Sequence, residues 1–324
     1  MKSNFPKKDY KLQSREIRFE VTNMCNARCI MCPREKMTRP KGILDMGLYM
    51  RTLDEACELG ATIVSLENFG ETFMDPLFFE RAAYAKGKGM DVFTISNGSL
   101  LNKELAGKAI HFLDKIRFSI YGTTKNVYES VHVDLNFERV ISNIEYIIKE
   151  RNRVKSKTPR IEVYFLVVDE NKHQIEDFKE RWMGHVDDIS IWRPHNWSDG
   201  REYRVFADDV KKVTCGRPVT GPIQVQWDGQ VVPCCFDYNS SIILGNLNDH
   251  SLYEVVTGQV YDKFRQAHID GKFDLYPFCN SCDQLTKKED VLVFSTMGGT
   301  RVGAVNTTFD KVEMDESIEI VEIK

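Results

Sequence analysis

The sequence predicts an α/β fold built on a parallel sheet, followed by a small α+β domain. Three observations lead there. Six short β-rich runs alternate with five longer amphipathic ones between Glu16 and about Arg193, and strands joined by such crossovers run parallel. The pattern changes near Arg201 to short strands, turns and one helical stretch. The nine cysteines form two groups, at 25, 29 and 32 and at 215, 234, 235, 279 and 282, with Cys57 alone between them.

The expected strands are 16–22, 62–67, 91–96, 115–121, 160–168 and 188–193, rich in β-branched and aromatic residues. The expected helices, 46–59, 76–88, 102–112, 137–153 and 173–183, carry apolar residues at helical spacing. Periodicity alone allows an open doubly wound sheet as well as a barrel. In either, ligands gather where the strands end at their carboxyl side, and the first cysteine group follows the first strand. Beyond Arg201, Asp228-Gly229 between alternating runs predicts a two-residue β-hairpin that returns Cys234 toward Cys215. A helix over 251–269 follows, with a serine N-cap and Gly271 past its end, and then Cys279-Asn-Ser-Cys282. The expected units are 1–200, 201–288 and a β-rich, unassigned extension, 289–324.

At 324 residues, 42% hydrophobic and 28% charged, the chain is long enough for one large domain and a smaller one. A net charge of −4 offers no basic excess for a phosphate backbone, so no nucleic-acid partner is expected. The first residues lack the apolar segment of a signal peptide, and no apolar run approaches the ~18 residues of a membrane span. A cytoplasmic protein without a membrane partner is therefore expected. An odd number of cysteines in a reducing compartment argues against disulfides.

Cys25-Asn-Ala-Arg-Cys29-Ile-Met-Cys32 packs three thiols into one loop. Three thiolates can hold three irons of a 4Fe-4S cube and leave the fourth iron without a protein ligand. A structural zinc needs four protein ligands, and no fourth stands nearby. In the second group, four thiolates from a hairpin and a CxxC turn suit either zinc or a second 4Fe-4S cluster. Cys57 lies on the apolar side of the first helix and reads as a small core residue.

The CxxxCxxC loop resembles that of the radical S-adenosylmethionine (SAM) superfamily. The resemblance implies a partial (β/α)6 barrel, with SAM chelated on the open iron and cleaved to a 5'-deoxyadenosyl radical. Glu67-Asn-Phe-Gly-Glu-Thr72 resembles the family's GGE motif with Phe69 at the first glycine, leaving Gly70 and Glu71 as SAM contacts. Ser96-Asn-Gly98 and Ser119-Ile-Tyr-Gly122 match further SAM-contacting positions, implying roles for Ser96, Asn97 and Ser119. Met31 stands where the family often places an aromatic against the adenine, and Trp192 is a second candidate for that contact. The C-terminal pattern resembles the auxiliary-cluster domain of SPASM/twitch enzymes. Because no cysteine follows Cys282, the shorter twitch form is implied, with one auxiliary 4Fe-4S cluster on Cys215, Cys234, Cys279 and Cys282. Cys235 is left over, or exchanges roles with Cys234.

The implied cofactors are thus SAM and two 4Fe-4S clusters, reduced by a donor such as flavodoxin or ferredoxin. The resemblance extends to a twitch dehydrogenase, which implies oxidation of a small polar, sugar- or aminocyclitol-like substrate through the auxiliary cluster. Proton-acceptor candidates are Arg193, His195 and Asp237, with Asp199 also in the substrate-facing loops. Epimerisation with Cys235 as hydrogen donor is the rival enzyme reading. Peptide-modifying relatives often carry an added recognition domain, whereas about fifteen residues precede the first strand here, which favours a small molecule. An iron-sulfur electron-transfer protein is the alternative without catalysis.

Overall fold

A computed structural model describes residues 10–203, 211–286 and 291–297. Six parallel strands, β1 (Glu16–Phe19), β2 (Ile63–Leu66), β3 (Asp91–Ser96), β4 (Lys115–Ser119), β5 (Arg160–Leu166) and β6 (Asp188–Trp192), lie side by side in chain order. Helices α1 (Met46–Glu58), α2 (Phe78–Gly87), α3 (Lys103–Phe112), α4 (Lys125–Val131), α5 (Phe137–Arg153) and α6 (Ile175–Trp182) fill the connections. Successive crossovers of one hand between adjacent strands put every helix on the same face of the sheet. The order is that of a partial barrel and excludes the doubly wound alternative, in which the strand order reverses.

The strands alternate apolar and polar residues although parallel strands covered on both faces are normally apolar throughout. Ile17, Phe19, Ile116, Phe118, Ile161 and Val163 are fully buried against the helices. Their neighbours Glu16, Arg18, Lys115, Arg117 and Glu162 point to the other face, the barrel interior. That interior is lined with charge where an ordinary (β/α) barrel is packed with Val, Ile and Leu. The charges are paired: Arg18 contacts Glu16 at 2.6 Å and Glu67 at 3.6 Å, while Lys115 and Arg117 reach Glu162 at 2.9 and 3.0 Å.

The second half of the chain extends the same sheet. β7 (Ile223–Val225) runs parallel to β1, β8 (Gln230–Val232) antiparallel to β7, and β9 (Gly245–Asn246) completes that side. β10 (Leu292–Ser295), from the unassigned extension, pairs antiparallel with β6 and covers the other edge. Two local expectations are corrected. The hairpin loop has three residues, because Gln226 N–H donates to Gln230 O at 2.8 Å and Gly229 N–H to Gln226 O at 2.9 Å, with only Gly229 at positive φ (+87°). The single helix expected over 251–269 is two, α8 (Leu252–Thr257) and α9 (Gln259–Ile269), broken at an extended Gly258. A Cβ at Gly258 would stand 2.7 Å from Glu254 O. The short turn α7 (Arg217–Thr220) and α10 (Pro277–Asn280) carry the flanks of the second cysteine group. Among the described residues no helix is long and apolar enough to cross a membrane.

Burial pushes the Glu162 carboxyl up, but Arg117 and Lys115 outweigh it and hold it at about 2. A carboxyl held below its unfolded value of roughly 4.3 contributes stability that is complete above that value and is lost as pH falls through the folded one. Glu162→Gln leaves two buried cations without their carboxylate and is expected to cost about 3–5 kcal/mol at pH 7. In urea titrations it should also flatten the acid limb between roughly pH 4.3 and 2; a midpoint equal to wild type would show that the cations do not depend on Glu162.

Candidate active site

The carboxyl ends of the strands open into a cavity of about 410 Å³. Cys25, Cys29 and Cys32 line one side of it. Their loop is tied to the end of β1: Thr22 Oγ1 donates to Gly42 O at 2.7 Å, Asn23 Nδ2 to Pro40 O at 2.8 Å, and Gly42 N–H to Asn23 Oδ1 at 2.9 Å. Residues 28–29 pair antiparallel with 132–133, the segment that follows α4. That pairing sets His132 Nδ1 3.1 Å from Cys29 Sγ. Helix α4 escaped the sequence reading because its seven residues are too few for a clear period.

Burial raises all three thiol pKa values, that of Cys25 to about 11. Such thiols are poor nucleophiles at neutral pH but become thiolates when a metal displaces the proton. The donor set is three soft sulfurs with no carboxylate on the loop between them, which fits iron of a cube with one open position. Among the described residues, no three His, Cys, Asp or Glu side chains converge on one point as ligands of a single ion would.

Gly70 lies against this loop so closely that a Cβ would stand 2.3 Å from Thr22 O, and Glu71 N–H donates to Met24 O at 2.8 Å. The Glu71 carboxylate is pinned: Oε1 accepts from Ser96 Oγ at 2.7 Å and Oε2 from Asn97 N–H at 2.8 Å. Burial pushes this carboxyl up to about 7 against those donors. Asn97 Nδ2 donates to Asn26 Oδ1 at 3.0 Å, so the second and third strand ends and the cysteine loop form one hydrogen-bonded unit. Gly70, Glu71, Ser96, Asn97, Ser119 and Met31 all line the cavity. Met31 is buried with Tyr121, Val131 and Val168, and its carbonyl accepts from Trp197 Nε1 at 2.9 Å and Arg201 Nη1 at 2.6 Å.

Trp192, Arg193 and His195 reach the cavity from the end of β6. The His195 ring packs against Phe236 at 3.5 Å and Trp197 at 3.8 Å between centroids, and its Nδ1 accepts from Trp197 N–H at 3.1 Å. Asp199 forms ion pairs with Lys36 and Arg201 at 3.2 Å. Asp237 is a correction. It is fully buried, lies outside the cavity lining, and its two oxygens accept from Ser241 and Ile242 N–H at 2.7 and 2.9 Å, so it closes a turn instead of facing a substrate.

Cys215, Cys234, Cys279 and Cys282 line a second, smaller cavity walled by Phe264 and Phe278. Cys235 is absent from that wall and lines the main cavity. Arg217, Pro233, Cys234 and Phe236 border both cavities. Four sulfurs lined by Phe264 and Phe278, with Arg217 and His268 beside them, fit a fully ligated cluster.

A family model described as the radical SAM superfamily matches residues 19–181, half of the sequence. The chain belongs to the radical SAM superfamily. A second model, the SPASM iron-sulfur cluster-binding domain, matches residues 215–283 and covers the second cysteine set. This radical SAM protein is 23% identical over 309 residues to the tungsten-containing aldehyde ferredoxin oxidoreductase cofactor-modifying protein of Pyrococcus furiosus, covering 81% of this chain and 85% of that one. It is 29% identical over 138 residues to the AdoMet-dependent heme synthase of Methanosarcina barkeri, covering 42% and 39% of the two chains. Among solved structures, BtrN in complex with AdoMet and 2-DOIA superposes with a TM-score of 0.57 at 14% identity, over 85% of this chain and 94% of BtrN. Streptococcus suis SuiB bound to its precursor peptide SuiA superposes with 0.64 at 12%, over 79% and 67%. At these identities the structures establish a shared fold.

The sequence reading missed Arg18, Glu67, Arg117, Tyr164 and Gln224, all of which line the cavity. A signal was present: Glu-Ile-Arg-Phe in β1, Lys-Ile-Arg-Phe in β4 and Glu-Val-Tyr in β5 put polar residues at every second position of parallel strands.

Asp237→Asn weakens a carboxylate that anchors two backbone N–H groups, at about 1–3 kcal/mol. A lowered urea midpoint with unchanged iron content is expected; loss of iron at unchanged stability would return Asp237 to the site.

Proposed function

We propose that this radical SAM protein is an oxidoreductase that removes two hydrogens from a small polar substrate in the main cavity, the second electron leaving to a cluster held by Cys215, Cys234, Cys279 and Cys282. The observation that carries the reading is the wall of Arg217, Pro233, Cys234 and Phe236 shared by the two cavities. When bound, SAM and the cluster of the first loop supply a 5'-deoxyadenosyl radical that takes one hydrogen atom. Cys215, Cys234, Cys279 and Cys282 would hold a cluster that could take the remaining electron, and a residue of the chamber would take the proton.

Cys25, Cys29 and Cys32 would hold the first cluster, with His132 fixing Cys29 and the Gly70–Glu71 backbone pressed against the loop. A proton acceptor must line the cavity. A guanidinium such as that of Arg193 offers donors and no acceptor, Asp237 lies elsewhere, and His195 Nδ1 already accepts from the backbone. Glu67 is on the cavity wall, 8% exposed, with its pKa raised by burial. We assign it the proton. Glu67→Gln should therefore lower product formation by about 10²–10⁴-fold while SAM cleavage continues uncoupled; equal loss of both would make Glu67 a folding residue.

A second reading rests on Cys235. Its thiol faces the main cavity, and burial raises its pKa and keeps the proton on sulfur, the form that returns a hydrogen atom. Anaerobic reconstitution with SAM, a reductant and a panel of polar metabolites separates the two. A product two hydrogens lighter supports oxidation; unchanged mass in water with one deuterium gained in heavy water supports epimerisation. Iron without any 5'-deoxyadenosine would sink both. Iron is expected near eight per chain for two cubes, falling to about four in Cys234→Ala and staying near eight in Cys235→Ala; the reverse pattern would exchange the two cysteines.

A further inference from the structure

The floor of the main cavity carries hydrogen-bond donors that the protein does not use. Arg18 on β1 and Gln224 on β7 are register partners, so they stand abreast on the interior face. Gln224 is 2% exposed, lines the cavity, and its Nε2 is buried without an acceptor. Arg117, on β4, is clamped between the rings of Phe93 and Tyr164, with its guanidinium carbon 5.4 and 5.3 Å from their centroids. Its Nη2 reaches Glu162, a carboxylate it shares with Lys115, and its Nε is also buried without an acceptor. Asn68 Nδ2, on the same cavity wall, is a third such donor. A buried N–H without an acceptor has lost its water and gained nothing in return, and three around one chamber call for an acceptor-rich group.

Charge points the same way. Arg18, Arg117 and Arg217 line the chamber beyond the cysteine loop, together with Glu67 and the pinned Glu71. Arg18 is engaged by Glu16 and Glu67, and Glu162 pairs with both Lys115 and Arg117. Clamped between two rings, Arg117 is held in one orientation, which suits a planar, charged acceptor.

We propose that the substrate carries a carboxylate and that Arg117 on β4 and Gln224 on β7, two unpartnered donors of one chamber, receive it. This rests on the proposed function only in taking the main cavity as the substrate chamber. A polyamine lacks the acceptor these donors require, and a carboxylate offers them two charged oxygens where a hydroxyl or amide offers one neutral oxygen.

The test is anaerobic calorimetric titration of the holoenzyme, with both clusters and SAM, using succinate and benzoate as probes beside succinamide and benzamide. The acids should bind at least about tenfold tighter than the amides, the equivalent of one charge-assisted hydrogen bond. Arg117→Lys, which keeps a cation for Glu162 but removes the planar fork, and Gln224→Leu should each reduce that preference several-fold. Equal affinity for acids and amides, no binding of either acid, or a preference unchanged in both variants overturns the proposal. The wild-type comparison stands by itself if a variant fails to fold. 5'-Deoxyadenosine release and substrate oxidation without acid preference would remove the carboxylate and leave the proposed function; acid preference without SAM cleavage would do the opposite.

Discussion

Charge buried inside the barrel is the constraint on which the rest of this structure depends. Six ionisable side chains on β1, β4, β5 and the end of β2 face inward, and none can remain there unless paired. They form two triads. In one, Arg18 is bracketed by Glu16 and Glu67; in the other, Glu162 is bracketed by Lys115 and Arg117. The pairing ties strands across the sheet and keeps the interior polar, so the space that an ordinary (β/α) barrel fills with aliphatic side chains is available here as a chamber. The apolar helices on the other face supply the packing, and the strand order in the sheet keeps them all there.

The upper end of that chamber is organised by backbone contact. The cysteine loop, Gly70–Glu71 and Asn97 are joined by short hydrogen bonds and by an approach that leaves no room for a side chain at Gly70. Three thiols on a loop are common enough; three thiols whose loop is locked to two neighbouring strand ends form a preorganised site. The second cysteine set gains its position differently. β7 adds in parallel to β1, so the hairpin that carries Cys234 and Cys235 continues the barrel sheet itself. Two adjacent cysteines thereby differ in place, Cys234 bordering both cavities and Cys235 the chamber alone. A single short turn, α7, places Arg217 at the border of both, its guanidinium 4.5 Å from the centre of the Phe236 ring.

Placement also redistributes the residues that sequence suggested for chemistry. Asp237 had the right identity and neighbourhood, yet both its oxygens are occupied by backbone N–H groups of the turn that follows it. Glu67 drew attention only as the start of a motif, and it is the carboxylate left facing the chamber. His195 is held between Trp197 and Phe236, an aromatic cluster that also borders the shared wall.

By itself the sequence determined what is set by local spacing and period: the six strands and five of the helices, the interior cysteine loop after β1, the glycine at position 70, and the four thiols of the C-terminal set with a fifth beside them. These are legible because period, turn chemistry and ligand spacing act over a few residues. Tertiary structure decided what depends on register between distant segments. It chose a partial barrel over a doubly wound sheet through the strand order, joined the C-terminal hairpin to β1, and set Cys234 alone of the adjacent pair against the smaller cavity. It broke the helix at Gly258, where only an unsubstituted Cα tolerates the carbonyl of Glu254, and brought Arg18, Gln224 and Arg117 to one floor. Residues 18, 117 and 224 are far apart in the chain, and only the parallel pairing of β1 with β7 and the curl of the sheet makes them neighbours of a single chamber.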